Sequence, residues 1–487
     1  MLAMNTSVCL PPATPVRLAV LLACALLLGG CAPGAPSLAQ PDPGVLPGQW
    51  PSDSHAPLVT AALPDWQQWV QDPTLAQLQT QALAHNRDLR LALLRVEEAR
   101  AVHGLQRADR FPTVAVGSSH ARARVPGDLN VSGRPVTGSD HEVFVGLNSW
   151  ELDLWGRVRS LDEAALQQYL ASAAGGRAAQ LTLLGQVARS YLALRETDER
   201  LHLARSTLDT RAETQRIFTR RHEVGSTSKY ALTQVQSLYN QAHALVVQLQ
   251  QARAQQVHAL GQLTGQAIDP LPALPPGAAI LGEVPAGLPS QLLQARPDIV
   301  AAEHQLQAAH AQVAAARAAF FPRIALTGSF GTASAQLDGL FDSGSKAWTF
   351  APSISLPILD GGRRRANLDL ATVRQHSAVA SYERSVQTAF REVADALSAR
   401  HFLAQQLRVQ QDNLQVLQER NRLAQLRYDN GASPYLDVLD AQRELLGAAQ
   451  QAVQVAYALQ AAQVSLYTAL GGAPAGTDRQ RPSAVTP

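Results

Sequence analysis

Two kinds of hydrophobic periodicity alternate along the chain, and each occurs twice. Between about residues 157 and 222, and again between about 363 and 428, Leu and Val recur at three- and four-residue spacing among Ala and Gln, as at Leu414, Leu417, Leu423 and Leu426. No proline interrupts either stretch, so each predicts a helix of roughly 100 Å at ~1.5 Å per residue. The small residues in these stripes allow close approach of a neighbouring helix, as in a coiled coil. A turn and a return helix follow each long helix, and a shorter helical pattern precedes each, at about 74–110 and 289–320.

Between the short and the long helices the period falls to two. From Arg323 to Gly331 the even positions are Ile324, Leu326, Gly328 and Phe330, while the odd ones are Arg, Ala, Thr, Ser and Gly. From Trp348 to Ile358 the even positions are Trp348, Phe350, Pro352, Ile354, Leu356 and Ile358. Alternation over about ten residues predicts a membrane strand with one lipid face and one wet face. A soluble two-sided sheet gives the same pattern. The first copy is fainter, with Val114 and Val116, then Val143, Val145 and Leu147. Trp150, Trp155 and Trp348 lie in or beside these strands, as an interfacial belt requires. Four strands cannot close a barrel, and an open edge in lipid is forbidden. Two chains would give eight strands around a filled interior, and three would give twelve around an open lumen.

Self-comparison shows a tandem duplication. Asn86-Arg87-Asp88-Leu89 recurs as Arg296-Pro297-Asp298-Ile299, and Arg107–Pro112 recurs as Arg317–Pro322, both 210 positions on. Trp155–Arg159 matches Gly361–Arg365, Val187–Arg189 matches Val393–Asp395, and His222–Ser226 matches Tyr428–Ala432, all 206 positions on. One four-residue indel between the strands reconciles the two offsets. The division expected is a first repeat over 66–268 with strands within about 111–155, a linker at 269–288, and a second repeat over 289–472 with strands within about 321–360.

Composition adds little against this. A formal charge of +2, with mixed signs, gives no reason to expect a nucleic-acid partner. The thirteen histidines show no ligand spacing, no nucleophile or phosphate-loop motif is present, and neither enzyme activity, a metal nor a cofactor is expected. The N-terminus is more informative. Arg17, the apolar run Leu18–Leu28 and small residues before Cys31 predict a secretion signal over 1–30. Leu28-Gly29-Gly30-Cys31 resembles a bacterial lipoprotein processing box, in which Cys31 is acylated and becomes the mature N-terminus. An ordinary cleaved signal with an incidental cysteine is the alternative. By analogy with bacterial lipoproteins, Ala32 after the cysteine favours the outer membrane. Residues 31–65 then read as lipid anchor and tether, and 473–487 as a disordered tail.

The turn Asp429-Asn430-Gly431-Ala432-Ser433-Pro434 separates the second long helix from its return helix. Gly431 fits a left-handed residue past a helix end, with Ser433 as N-cap and Pro434 as first helical residue. Asp437 and Asp440 fall on one face of the new helix, whereas the first copy has Ala231 and Gln234 there. On the residues alone, these acids serve at least to favour a helix N-terminus. The basic run Arg363–Arg365 opens a helix, where cations are disfavoured, so it needs a partner; lipid headgroups and a solvated face are both open.

The order of Glu151-Leu152-Asp153-Leu154-Trp155-Gly156-Arg157, Glu283–Pro289, Ala318-Ala319-Phe320-Phe321-Pro322 and Leu439-Asp440-Ala441-Gln442-Arg443 resembles the TolC-like outer membrane efflux proteins, in particular their lipoprotein branch typified by OprM. The resemblance runs from about Trp66 to Gly472. It implies a mostly α fold with membrane β structure: four strands per chain in a homotrimeric twelve-stranded barrel, and a long periplasmic helical coiled-coil tunnel. It implies an outer membrane exit duct, in contact with outer membrane lipid, of a tripartite pump with a periplasmic adaptor protein and an inner-membrane transporter of the resistance–nodulation–division class. It further implies a gate at the helical tip, with Asp437 and Asp440 as cation-attracting rings and Leu436, Tyr428 and Arg443 at positions that constrict or latch it. The outer duct of a type I protein secretion system, and a pore-less coiled-coil lipoprotein, are the competing readings.

Overall fold

The computed structural model describes residues 63–272, 279–285 and 296–472. The signal, Cys31, most of the tether, parts of the linker and the tail lie outside the described residues. The elements run α1 (Trp66–Trp69), α2 (Pro73–His85), α3 (Arg87–Ala108), β1 (Val114–Val125), β2 (Val136–Glu151), α4 (Arg157–Glu223), α5 (Lys229–Thr264), α6 (Pro297–Ala318), β3 (Arg323–Ser334), β4 (Lys346–Ser355), α7 (Arg363–Asp429) and α8 (Tyr435–Ala469). The two long helices each hold 67 residues, because nothing in either stretch breaks the main-chain ladder.

The chain divides into two compact units, of which one is made of residues 101–167 and 307–377. It holds a four-stranded antiparallel sheet in the order β1-β2-β3-β4, one hairpin from each copy. Register ties the alternation seen in the sequence into rows. Val116 faces Val145, Val145 faces Phe330, and Phe330 faces Trp348, while Leu326 lies between Trp150 and Pro352. This apolar face is bare: Val116 is 78%, Trp348 72% and Ile354 72% exposed. A bulge between Leu147 and Trp150, with Ser149 at φ 38°, keeps Trp150 on that face. β4 ends at Ser355, short of the expected Ile358. Pro357 cannot donate to a ladder, whereas Pro352 lies within β4 opposite Leu326, in a strand that is at the edge of the sheet within one chain.

Both long helices start on an aspartate. Asp153 accepts from the amides of Val158 and Arg159, and Asp360 from those of Gly362 and Arg364. Two of the three arginines in the basic run therefore have local partners. Arg364 pairs with Asp360 at 2.8 Å and also reaches the Pro357 carbonyl, and Arg365 pairs with Asp369 at 3.3 Å.

The other unit comprises the described parts of 63–100, 168–306 and 378–472. Its main core packs Leu75, Leu78, Tyr191, Leu194, Leu260, Val393, Leu397 and Leu466, with Trp69 stacked on Tyr467 at 4.3 Å. The duplication is visible in its hydrogen bonds. Asn86 donates to the Leu263 carbonyl and its counterpart Arg296 donates to the Ala469 carbonyl, so each copy fastens its first helix to the end of its return helix. Arg296 is buried and offset by Asp298 and Glu392 at 2.6 and 2.8 Å; a buried arginine without such partners would be costly.

Candidate functional site

The turn between α7 and α8 is built by Gly431, at φ 68°, where a side chain would be strained. Its amide donates to the Tyr428 carbonyl, and that of Ala432 donates to the Arg427 carbonyl, closing the helix end. The expected cap is one residue off. Pro434 occupies the N-cap position with no side-chain bond, α8 begins at Tyr435, and the Ser433 hydroxyl is buried without a hydrogen-bond partner. Pro434 takes an extended ψ of 154° rather than a helical one, so the helix starts one residue later than expected.

Around this turn the side chains form a lock between segments far apart in sequence. The Tyr428 hydroxyl accepts from Arg221 at the end of α4, at 2.6 Å. The Tyr428 ring meets Tyr435 edge-on at 4.8 Å, and Tyr435 packs on Phe218 at 4.9 Å. The Tyr435 hydroxyl shares a 3.1 Å hydrogen bond with Thr214, and the Arg221 guanidinium lies 5.6 Å from the Phe218 ring. Leu232, Val235 and Leu439 complete an apolar cluster with Phe218. Burial raises the Tyr435 phenol above its ordinary pKa, against the lowering effect of its hydrogen bond with Thr214.

The charged residues sit on the following turns of α8. Asp437 is exposed in the first turn, and Leu436 is 44% exposed beside it. Asp440 pairs with Arg443 at 3.1 Å. Burial pulls Arg211, on α4, below the ordinary arginine value, and the nearby positive Arg443 pulls it further. Arg211 donates to the Leu238 carbonyl at 2.7 Å. Asp440 thus offsets one of two neighbouring cations. Farther along, Arg420 of α7 pairs with Glu444 of α8.

Of the five residues expected at a gate, the structure brings Tyr428 into the aromatic lock and Asp440 together with Arg443. Leu436 and Asp437 project from the surface. Sequence reasoning missed Tyr435, Phe218, Thr214 and Arg221. Tyr435 follows Pro434 within the turn and was within reach; the others lie more than 200 residues from it.

The chain matches known proteins over most of its length. The profile of the family described as "Outer membrane efflux protein" matches residues 78–266 and 288–472. The toluene efflux pump outer membrane protein TtgI of Pseudomonas putida is 44% identical over 457 residues, covering 92% of this chain and 96% of its own. The outer membrane protein OprJ of Pseudomonas aeruginosa is 42% identical, covering 92% and 94%. Among solved structures, the open state of the Neisseria gonorrhoeae MtrE outer membrane channel superposes with a TM-score of 0.81 at 37% identity, over 91% of this chain and 98% of that one. Helices of 67 residues, a four-stranded sheet and a twice-matched profile thus agree, and the chain belongs to the outer membrane efflux protein family.

Proposed function

We propose that the protein is the exit duct of a tripartite efflux pump: a trimer whose barrel crosses the outer membrane and whose helices form a periplasmic tunnel closed at the Gly431 turn. The observation that carries this reading is the incomplete sheet. Among the described residues β1 pairs only with β2 and β4 only with β3, leaving two open edges beside a bare apolar face. In lipid each unpaired main-chain group costs several kcal/mol, so β4 of one copy must pair with β1 of the next until the sheet closes. Three copies give twelve strands and a lumen; two would give eight, whose side chains fill the interior. The helices support the same assembly. Phe402, Val409, Val416 and Leu423 stand seven apart on α7 and are 55%, 65%, 66% and 43% exposed, an unpartnered coiled-coil seam that a neighbouring copy would cover.

In this reading Cys31 carries the lipid anchor, and a periplasmic adaptor joins the helical tip to an inner-membrane transporter of the resistance–nodulation–division class. Asp437 and Asp440 form acidic rings on the three-fold axis, Leu436 narrows the opening, and Tyr428 and Arg443 hold it shut. The cargo includes apolar aromatic compounds, by likeness to the toluene and solvent efflux relatives. Deletion of the gene followed by a panel of drugs, dyes, detergents and solvents tests the role: sensitivity to several unrelated compounds is expected. A heat-sensitive trimer on a gel, with ion conductance in planar bilayers, tests the architecture. Unchanged susceptibility in a strain with no second duct of this kind, or protein that never conducts, would overturn the reading.

A further inference from the structure

We propose that the outward face of the sheet, above its apolar band, binds phosphorylated glycolipid of the outer leaflet. The inference rests on the membrane reading above and adds a ligand to it. Along β1 the positions that continue the apolar face are Val114, Val116, Ser118, His120, Arg122 and Arg124. The same face carries Lys346, opposite Thr332, and His141, whose ring stacks on that of His120 at 4.1 Å. The acids of these strands go the other way. Asp140 lies opposite Ala121, and Glu142 lies opposite Ser119, which donates to it at 3.4 Å. Above the apolar band strand parity therefore sorts the charges, cations outward and carboxylates inward; at the lower end Arg323 faces inward and pairs with Glu151. Arg122, Arg124 and Lys346 make no ion pair among the described residues.

The heights of these cations select the ligand. All four connections to helices leave the sheet at one end, and both hairpin loops lie at the other, so the loops are extracellular if the helices are periplasmic. Successive same-face positions rise about 6.7 Å along a strand, or roughly 5 Å along the membrane normal at a tilt of ~40°. Counted along each strand from its own last apolar position, Lys346 lies one step above Trp348 on β4, and His120 lies two, Arg122 three and Arg124 four steps above Val116 on β1. The cations thus climb from roughly 5 to roughly 20 Å above the apolar band. Glycerophospholipid headgroups fill only about 5–8 Å of each leaflet and reach the lowest step. Phosphates spread over a sugar headgroup meet all of them, and guanidinium forks match phosphate oxygens in bidentate fashion.

The test uses full-length protein, reconstituted in phosphatidylcholine vesicles with purified lipopolysaccharide and re-extracted in mild detergent, with bound glycolipid measured by mass spectrometry. The variant Arg122→Ser, Arg124→Ser, Lys346→Ser should retain about five-fold less glycolipid per mole of protein than the parent. The pair Arg122→Lys, Arg124→Lys, which keeps the charge and loses the guanidinium forks, should retain an intermediate amount, and Asp140→Asn with Glu142→Gln, on the opposite face, should leave it unchanged. Dephosphorylated glycolipid should bind weakly, and phosphatidylglycerol should compete poorly. Equal retention by the triple variant, equal binding of dephosphorylated glycolipid, or full displacement by phosphatidylglycerol would each overturn the proposal. Conductance of the same preparation keeps the two ideas apart. Conducting protein that holds no glycolipid sinks this inference alone, and protein that neither inserts nor conducts sinks both.

Discussion

The turns at Gly225 and Gly431 are two copies of one design that have been put to different uses. Both place a glycine in the left-handed region, at φ 73° and 68°. In both, the same two amides close the preceding helix: Gly225 and Ser226 donate to the carbonyls of His222 and Arg221, as Gly431 and Ala432 do to those of Tyr428 and Arg427. The side chains then part ways. Ser228 caps α5 by accepting from the Ala231 amide at 3.2 Å, whereas Pro434 starts α8 with no side-chain cap. Lys229 stands where the second copy has Tyr435, His222 where it has Tyr428, and Ala231 and Gln234 where it has the two aspartates. The backbone hydrogen bonds and one glycine suffice to make the turn. In the second copy the remaining positions are released from turn-building and carry an aromatic lock and a pair of acids instead.

The sharpest way to break this comparison is to remove the lock. Tyr435→Ala deletes a ring packed on Phe218 and Tyr428 together with the Thr214 bond, and should cost about 2–4 kcal/mol of local stability. Hydrogen exchange over residues 425–440 should speed up sharply and resting bilayer conductance should rise. Lys229→Ala, the same position in the sister turn, should change neither measurably. If both variants behave alike, the lock has no special role.

The acids come next. Asp437→Ala with Asp440→Ala should alter single-channel conductance and abolish block by added divalent cations, while the trimer band on a gel persists. Asp440→Ala alone also leaves Arg443 uncompensated beside Arg211, so it should loosen α4 from α8 more than Asp437→Ala does, by about 0.5–1 kcal/mol for an exposed pair. Unchanged currents in the double variant would reduce both acids to favouring a helix N-terminus. The reciprocal Ala231→Asp with Gln234→Asp would sharpen the point by adding acids to the sister turn.

What was legible in the sequence, and what was not, follows from the range of the forces involved. The long helices could be read almost to the residue, since α4 and α7 depend on unbroken local hydrogen bonding and both stop at a glycine turn. β3 and β4 were legible because one face is apolar over most of their length. β1 was faint because the same face switches from Val114 and Val116 to His120, Arg122 and Arg124 partway along. A switch of environment along a single face defeats a search for one uniform pattern. The partners of Arg364 and Arg365 were local yet overlooked, because a helix-start rule was applied without the aspartates at 360 and 369. Of the lock, only Tyr428 was singled out, and its partners on α4 could not be read. Tyr428 and Arg221 are 207 residues apart, and only the duplication, folded, brings them together.

A smaller effect isolates the lock's polar half. Tyr428→Phe keeps the ring against Tyr435 but removes the oxygen that accepts from Arg221. Because Arg221 is exposed and can turn to water, the loss should be about 1 kcal/mol, seen as a modest rise in resting conductance. His222→Phe, at the equivalent position of the first copy, should produce no such rise.

The smallest effects bear on how each turn starts its return helix. Ser228 makes a real cap, so Ser228→Ala should cost about 1 kcal/mol, visible as faster hydrogen exchange at the first turn of α5. Ser433 resembles a cap in the sequence, but its hydroxyl is buried and unpaired. A buried polar atom without a partner is a liability, so Ser433→Ala should be neutral or stabilising by up to about 0.5 kcal/mol. The two serines are one residue out of step between the copies, since Ser433 corresponds to Thr227 rather than to Ser228. If Ser433→Ala proves as costly as Ser228→Ala, then Ser433 caps α8 in the assembled protein, and the second turn starts its helix in the same way as the first.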